Sequence, residues 1–101
     1  INMSTFQEII KGEIPVLVDF YAEWCAPCKT MNPILKKIKK NMGDNLKIIK
    51  INVDNNQQVA SKFQVRGIPT FILFKNNEVK WRQSGIIDEK KFLETIKLEI
   101  N

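Results

Sequence analysis

The sequence of 101 residues contains no histidine and only two cysteines, Cys25 and Cys28. The absence of histidine excludes a cysteine hydrolase, because the nucleophile of such an enzyme needs an imidazole base. It also leaves a structural zinc site short of ligands, since two thiolates cannot complete four nitrogen and sulfur ligands within one chain. We therefore expect no bound metal, and the two thiols become the candidates for chemistry.

Arginine is scarce in a chain that is nevertheless basic. The formal net charge of +5 would suit nucleic-acid phosphates, but only Arg66 and Arg82 of the 16 basic residues are arginine. No basic stretch is interleaved with aromatic residues for base stacking. The densest lysine cluster, within Lys36–Lys40, surrounds Ile38 and indicates a solvated helix face. We expect no nucleic-acid partner and favour acidic protein partners.

Long apolar runs and the pattern of a secretory signal are also absent. No run approaches the length that crosses a membrane, and nothing near the N-terminus combines a charged start, an apolar stretch and a cleavage site. We expect a cytoplasmic protein without membrane association. Because 44% of the residues are hydrophobic, enough for one core, we expect residues 1–101 to form a single domain and to be monomeric.

Strand and helix patterns predict an α/β fold. The apolar run Val16–Tyr21 is typical of a central strand covered on both faces. A short helix precedes this strand, with Ser4 and Thr5 as candidate N-caps. The elements that follow it are a helix from Cys28 to Gly43, a strand at Leu46–Val53, a helix at Gln57–Phe63 and strands at Thr70–Phe74 and Glu78–Gln83. A last helix is capped by Asp88. The first two strands should be parallel neighbours, because crossover connections are right-handed, and the last two should form an antiparallel hairpin.

The two cysteines lie where the first strand meets the following helix. Backbone N–H groups and the positive end of the helix dipole stabilise a thiolate at such a junction, so we expect Cys25 to be more acidic than an ordinary thiol. Cys28 lies about one turn further along, which lets the pair close into a disulfide and reopen. A purely structural disulfide is an alternative, although a loop this short contributes only about 2 kcal/mol, against about 3 for a 15-residue loop.

Asp19 is a carboxylate within an otherwise apolar strand, and burial there should raise its pKa. Lys50 occupies a similarly apolar place on the neighbouring predicted strand. Together they suggest a buried or half-buried pair near the base of the Cys28 helix, where a carboxylate of raised pKa can accept the proton of the second thiol. The alternative is that Asp19 faces solvent at a strand edge and Lys50 extends its ammonium to water.

Ile68 and Pro69 precede the third predicted strand. A cis proline there would expose the backbone of Ile68 beside the cysteines, where it can pair with an extended substrate peptide, whereas the alternative is a plain turn. Trp24 could add an apolar platform to the rim, and Gly85 could permit close backbone approach.

Several motifs occur together in an order and spacing that resemble the thioredoxin family. They are Trp24-Cys25-x-Pro27-Cys28-Lys29, Asp19-Phe20, Lys50-x-Asn52-Val53-Asp54, Arg66-Gly67-Ile68-Pro69-Thr70, Phe74-Lys75-Asn76 and Gly85. The match runs from about Thr5 to the C-terminus. The resemblance implies the thioredoxin fold, with a central mixed sheet of about four strands, helices on both faces, and Pro69 cis and facing the disulfide.

The resemblance also implies a protein disulfide reductase with a role in electron transport and cell redox homeostasis. Cys25 would be the nucleophile and Cys28 the resolving thiol, with Asp19 as the proton acceptor and Lys50 modulating it. Substrate would be bound by Trp24, Ala26, Pro27, Gly67, Ile68, Pro69 and Gly85. The implied partners are disulfide-containing proteins and a thioredoxin reductase that draws electrons from NADPH, with no bound cofactor beyond the redox-active Cys25–Cys28 disulfide.

Two departures from the family pattern bear on this interpretation. Ala26 stands where the family usually has glycine, which keeps open an oxidase or isomerase on the same fold. The chain before Ser4 is too short for the family's usual first strand, so we expect Leu46–Val53 at a sheet edge. A second alternative is a binding subunit that uses the surface of Trp24, Ile68 and Gly85 without turnover.

Overall fold

Four helices and four strands make up the computed structural model, which describes residues 1–101. In chain order they are α1 (Met3–Ile10), β1 (Val16–Tyr21), α2 (Ala26–Met42), β2 (Lys47–Asn52), α3 (Gln57–Lys62), β3 (Thr70–Lys75), β4 (Glu78–Ser84) and α4 (Glu89–Glu99). One 3-10 turn, Gly43–Asn45, joins α2 to β2. None of the helices combines the length and apolar character needed to cross a membrane.

The four strands form one mixed sheet in the order β2-β1-β3-β4. Strand β1 pairs in parallel with β2 and antiparallel with β3, and β3 pairs antiparallel with β4. The predicted parallel βαβ unit and antiparallel hairpin are therefore both confirmed. Strand β2 lies at the edge of this sheet, as predicted, while β1 is central.

Helices cover both faces of the sheet, as predicted. Successive side chains of a strand point to opposite faces, so β1 contributes Leu17 to one side and Val18 to the other. Leu17 packs in a cluster with residues of α2 and α4, and Val18 packs with residues of α1 and α3. Asp19 has the same parity as Leu17, and it therefore points to the face that α2 covers. This alternation is what places a carboxylate beneath the cysteine helix.

Two helix starts differ from the sequence prediction. Helix α1 is capped by Asn2, whose Oδ1 accepts a hydrogen bond from the Thr5 backbone N–H at 2.8 Å, so the prediction that Ser4 or Thr5 is the cap is wrong. Helix α2 begins at Ala26, two residues before the predicted start, because Pro27 fits a first turn in which no N–H needs an intrahelical partner. Gly43 ends α2 with a φ of 56°, a conformation that favours glycine.

Lys39 stabilises the end of α2. Its Nζ donates hydrogen bonds to the carbonyl oxygens of Gly43 at 2.8 Å and Leu46 at 2.7 Å. We expect Lys39→Met to lower the free energy of unfolding by about 1 kcal/mol, since charge-assisted hydrogen bonds to carbonyls that follow a helix are lost. Lys40→Met is the matched control, and it should change stability by less than about 0.5 kcal/mol because Lys40 is exposed and makes no such bond. Equal urea midpoints for the two variants would contradict this role.

Candidate active site

Cys25 is the N-cap residue of α2. Its Sγ accepts a hydrogen bond from the Cys28 backbone N–H at 3.2 Å, and the first turn of the helix contains no acidic residue. A sulfur in this position lies at the positive end of the helix dipole and receives one of the free N–H groups of the first turn. Both features favour a thiolate over a thiol, and the higher acidity of Cys25 stays a prediction.

Cys25 and Cys28 are joined by a disulfide, with their Cα atoms 5.3 Å apart. Each residue is only 3% exposed, and both pack with Ala22 against the half-buried Val53 and Ile68. The disulfide is thus held in a small apolar setting rather than on an open loop. The two residues between the cysteines, Ala26 and Pro27, are exposed.

Asp19 is fully buried in the centre of the sheet, and neither of its carboxylate oxygens accepts a hydrogen bond from a protein group. Desolvation by burial raises the pKa of Asp19 from its ordinary 3.8 to about 6, although the charge of Lys50 acts in the opposite direction. The predicted burial and raised pKa are confirmed. The alternative of a solvent-facing Asp19 is wrong, because β1 has a strand on each side.

Lys50 is the register partner of Asp19 on β2, but it does not form the expected buried pair. Lys50 is exposed, and its Nζ donates to Asn32 Oδ1 at 2.6 Å and lies 4.7 Å from the centre of the Tyr21 ring. The edge position of β2 gives the long side chain a route to solvent that β1 does not offer. The expectation of a buried or half-buried lysine is therefore wrong, while its electrostatic influence on Asp19 remains.

A cavity of about 120 Å³ connects the surroundings of Cys28 with those of Lys50. Its lining residues are Tyr21, Ala22, Glu23, Cys28, Lys29, Asn32 and Lys50. The space is large enough for water and is bordered by several polar side chains. Cys28 therefore has a polar neighbourhood on one side and the apolar disulfide cluster on the other. Asn32, which holds Lys50 at this cavity, was not identified from the sequence, because nothing in the helical pattern distinguishes it from a surface polar residue.

The loop before β3 presents Ile68 to the disulfide cluster, and the Ile68–Pro69 peptide bond is cis, as the family resemblance implied. The Pro69 carbonyl oxygen accepts a hydrogen bond from the Gly85 N–H at 2.9 Å. Thr70 Oγ1 donates to the carbonyl oxygen of Gly67 at 2.5 Å, which ties the same loop together. Gly85 has a φ of +93°, and no atom beyond Gly85 and its two chain neighbours lies within 4 Å of the position that a Cβ would take. Glycine is thus favoured at position 85 by its backbone conformation, and the space beside it is open.

Trp24 is 72% exposed beside the cysteines, and its Nε1 donates to Asp54 Oδ2 at 2.9 Å. Asp54 follows the end of β2, where its own N–H donates to Asn52 Oδ1 at 2.9 Å. The hydrogen bond fixes the orientation of the indole of the residue that directly precedes Cys25. This role of Asp54 could not be found from the sequence, because the contact joins residues 30 positions apart.

Comparisons with known proteins agree with this geometry. Residues 1–98 match the family model described as Thioredoxin. Among curated proteins, a thioredoxin of Rickettsia bellii is 42% identical over 95 residues, which cover 94% of this chain and 90% of that protein. Among solved structures, a mutant thioredoxin from Halobacterium salinarum NRC-1 superposes with a TM-score of 0.88 at 31% identity, covering 99% of this chain and 87% of that one. Oxidised mitochondrial thioredoxin 3 from Saccharomyces cerevisiae gives a TM-score of 0.86 at 32% identity, with coverage of 95% and 89%. With the Cys25–Cys28 disulfide at the start of α2, the chain belongs to the thioredoxin family of dithiol–disulfide oxidoreductases.

Proposed function

We propose that this oxidoreductase works as a reductant of disulfides in other proteins, with Cys25 as its nucleophile. The observation that carries the proposal is the N-cap position of Cys25, where the Cys28 N–H donates to its sulfur. The thiolate of Cys25 attacks one sulfur of a substrate disulfide. A mixed disulfide between Cys25 and the substrate forms, and the other substrate sulfur leaves as a thiolate that takes a proton from solvent.

Cys28 resolves the mixed disulfide in the second step. Its thiol loses a proton, the sulfur attacks Cys25 Sγ, and the second substrate sulfur leaves as a thiolate. We propose Asp19 as the acceptor of the Cys28 proton, with Lys50 tuning its pKa. The support is the raised pKa of a buried carboxylate without a hydrogen-bond partner, on the face of β1 that is covered by α2, the helix that carries Cys28. The cavity next to Cys28 is lined by Lys50 and not by Asp19.

Substrate is proposed to lie across the exposed rim of the disulfide. We propose that the exposed Trp24, Ala26 and Pro27 border one side, and that Gly67, Ile68, Pro69 and Gly85 border the other, where the Pro69 ring is buried. An extended peptide can pair with the backbone of Ile68, and the open space at Gly85 leaves room for it. The half-buried Ile68 side chain contacts the cysteine cluster, so a peptide held there has its own cystine close to Cys25.

The oxidised protein is proposed to be renewed by a thioredoxin reductase that draws electrons from NADPH. We place this cycle in the cytoplasm, where thiols are kept reduced, and assign it to electron transport and cell redox homeostasis. A monomer of one domain, residues 1–101, carries every residue that the proposed reaction uses.

The reduction potential of the Cys25–Cys28 couple tests the direction of the reaction. Titration against a glutathione or dithiothreitol buffer should give a value below about −230 mV, close to about −270 mV, which is the reference value of the thioredoxin family itself. A potential near about −120 to −180 mV would instead indicate an oxidase or isomerase. A couple that does not cycle at all would indicate a binding subunit.

A further inference from the structure

A second cavity lies beside the proposed substrate rim, along the exposed side of α3. It has a volume of about 420 Å³, and its lining residues are Val53, Asp54, Gln57, Ala60, Ser61, Gln64, Val65 and Arg66. The cavity adjoins the active site at two points. Val53 also packs against the cluster of Cys25 and Cys28, and Asp54 is the residue that binds Trp24.

The two charged residues of this cavity differ in their availability. Asp54 already accepts the hydrogen bond of Trp24 Nε1 and lies at that end of the cavity. Arg66 is exposed, and its guanidinium makes no hydrogen bond and belongs to none of the three salt bridges of the structure. The free group that a ligand meets in this cavity is therefore a cation with several N–H donors, and such a fork suits a carboxylate.

Arg66 lies two residues before Ile68, the backbone proposed to pair with substrate. Two residues of chain span at most about 7 Å. In an extended peptide, side chains two positions apart lie on the same face and are separated by about the same length. If the reacting cysteine of the substrate is held next to Ile68, the side chain two positions away reaches the Arg66 end of the cavity.

From this geometry, which rests on the proposed function, we propose that the cavity lined by Arg66 is a substrate subsite. It binds an aspartate or glutamate side chain located two positions from the reacting cysteine of the substrate, and it makes the protein prefer acidic disulfide substrates. The net charge of +5 of the whole chain favours the same substrates at longer range. Only Arg66 requires the acidic residue to lie at a fixed distance from the reacting cysteine of the substrate.

Disulfide-linked peptides test the subsite directly. In one set the residue two positions before the cysteine is Glu, Gln or Lys, and in a second set the same three residues stand two positions after it. Each peptide is joined through its cysteine to the same reporter thiol, and kcat/KM for release of the reporter is measured at low salt. In one of the two sets, the Glu peptide should be reduced about three- to fivefold faster than the Gln peptide, the size expected of an exposed ion pair, and the Lys peptide should be the slowest.

Variants separate a fixed subsite from general electrostatic attraction. Arg66→Gln should bring the Glu-to-Gln ratio close to one, and Arg66→Lys should keep part of it. Lys97→Gln removes the same charge from α4 on the opposite face of the sheet and should leave the ratio unchanged. Equal losses in Arg66→Gln and Lys97→Gln, a faster Lys peptide, or equal rates for Glu and Gln in both sets would each overturn the subsite. The proposed function fails separately, if the wild-type protein does not reduce even the Gln peptides.

Discussion

Replacing Cys28 with serine is expected to stop turnover and to leave the protein covalently attached to its substrate. Cys25 keeps its N-cap position, because the backbone N–H of residue 28 remains available to its sulfur. The first attack therefore proceeds, but no second thiol can release the mixed disulfide. Steady-state reduction of a disulfide substrate should fall at least about 10³-fold, the scale on which loss of a covalent catalytic group acts.

The trapped species is the more informative readout. Mass spectrometry of Cys28→Ser after incubation with a disulfide substrate should show one substrate chain per protein chain, and dithiothreitol should remove it. Cys25→Ser is the matched control and should form no such adduct, because Cys28 is as buried as Cys25 but lacks the N-cap position and the hydrogen bond to sulfur that stabilise a thiolate at Cys25. An adduct of equal yield on both variants would show that the assignment of nucleophile and resolving thiol is wrong.

The central part of the fold could be predicted because the hydrophobic pattern of each segment and the rules for strand connections indicate the same arrangement. The continuous apolar run of β1 indicates a strand covered on both faces, and the right-handed crossover makes β2 its parallel neighbour. The same period of two that buries Leu17 and Val18 on opposite faces also places Asp19 beneath α2. A single buried carboxylate stands out in such a strand, which is why its raised pKa could be expected from the sequence.

Contacts between distant polar side chains could not be predicted in the same way. Lys50 lies among isoleucines, and its surroundings in sequence indicate burial, yet an edge strand lets a long side chain reach Asn32 and water. The hydrogen bond between Trp24 and Asp54 and the free guanidinium of Arg66 depend on how loops meet in space. Such contacts leave no periodic pattern, so the sequence located the cysteine chemistry but not the neighbouring cavity.

Asp19→Asn is expected to make the disulfide form of the protein more stable at neutral pH. Burial raises the pKa of Asp19 to about 6 in the folded state, above the 3.8 that applies when the chain is unfolded. Between these two values the folded state binds more protons than the unfolded state, so the free energy of unfolding falls as the pH rises from about 4 to about 6 and is then flat. Each unit of difference between the two pKa values corresponds to about 1.4 kcal/mol, so the free energy of unfolding above pH 6 is lower by about 3 kcal/mol than it is below pH 4.

Asparagine has a similar shape and no charge, and it avoids this loss. Urea unfolding at pH 7.5 should therefore show the variant to be about 2–3 kcal/mol more stable than the wild-type protein. At pH 3.5 the two proteins should differ little, since Asp19 is then protonated in the folded state and mostly protonated in the unfolded state. Asp44→Asn alters an exposed carboxylate in the 3-10 turn and is the matched control, which should not give the gain at pH 7.5. A stability gain that is the same at both pH values would mean that ionisation of Asp19 is not its cause.

Asp19→Asn should also slow catalysis. A variant that is more stable but less active would tie the buried carboxylate to function. Without the proposed proton acceptor, resolution of the mixed disulfide at pH 7 should slow by about 10- to 100-fold, at or below the lower end of the range for general-base catalysis because thiols ionise partly unaided. Stopped-flow fluorescence of Trp24 can follow the step, since the indole lies beside the disulfide and is held by Asp54. On the proposed mechanism, the charge that lowers the stability of the core is also the base that accepts the proton of the resolving thiol. A variant that is more stable but resolves the mixed disulfide at the wild-type rate would remove Asp19 from the mechanism and leave its burial without a functional reason.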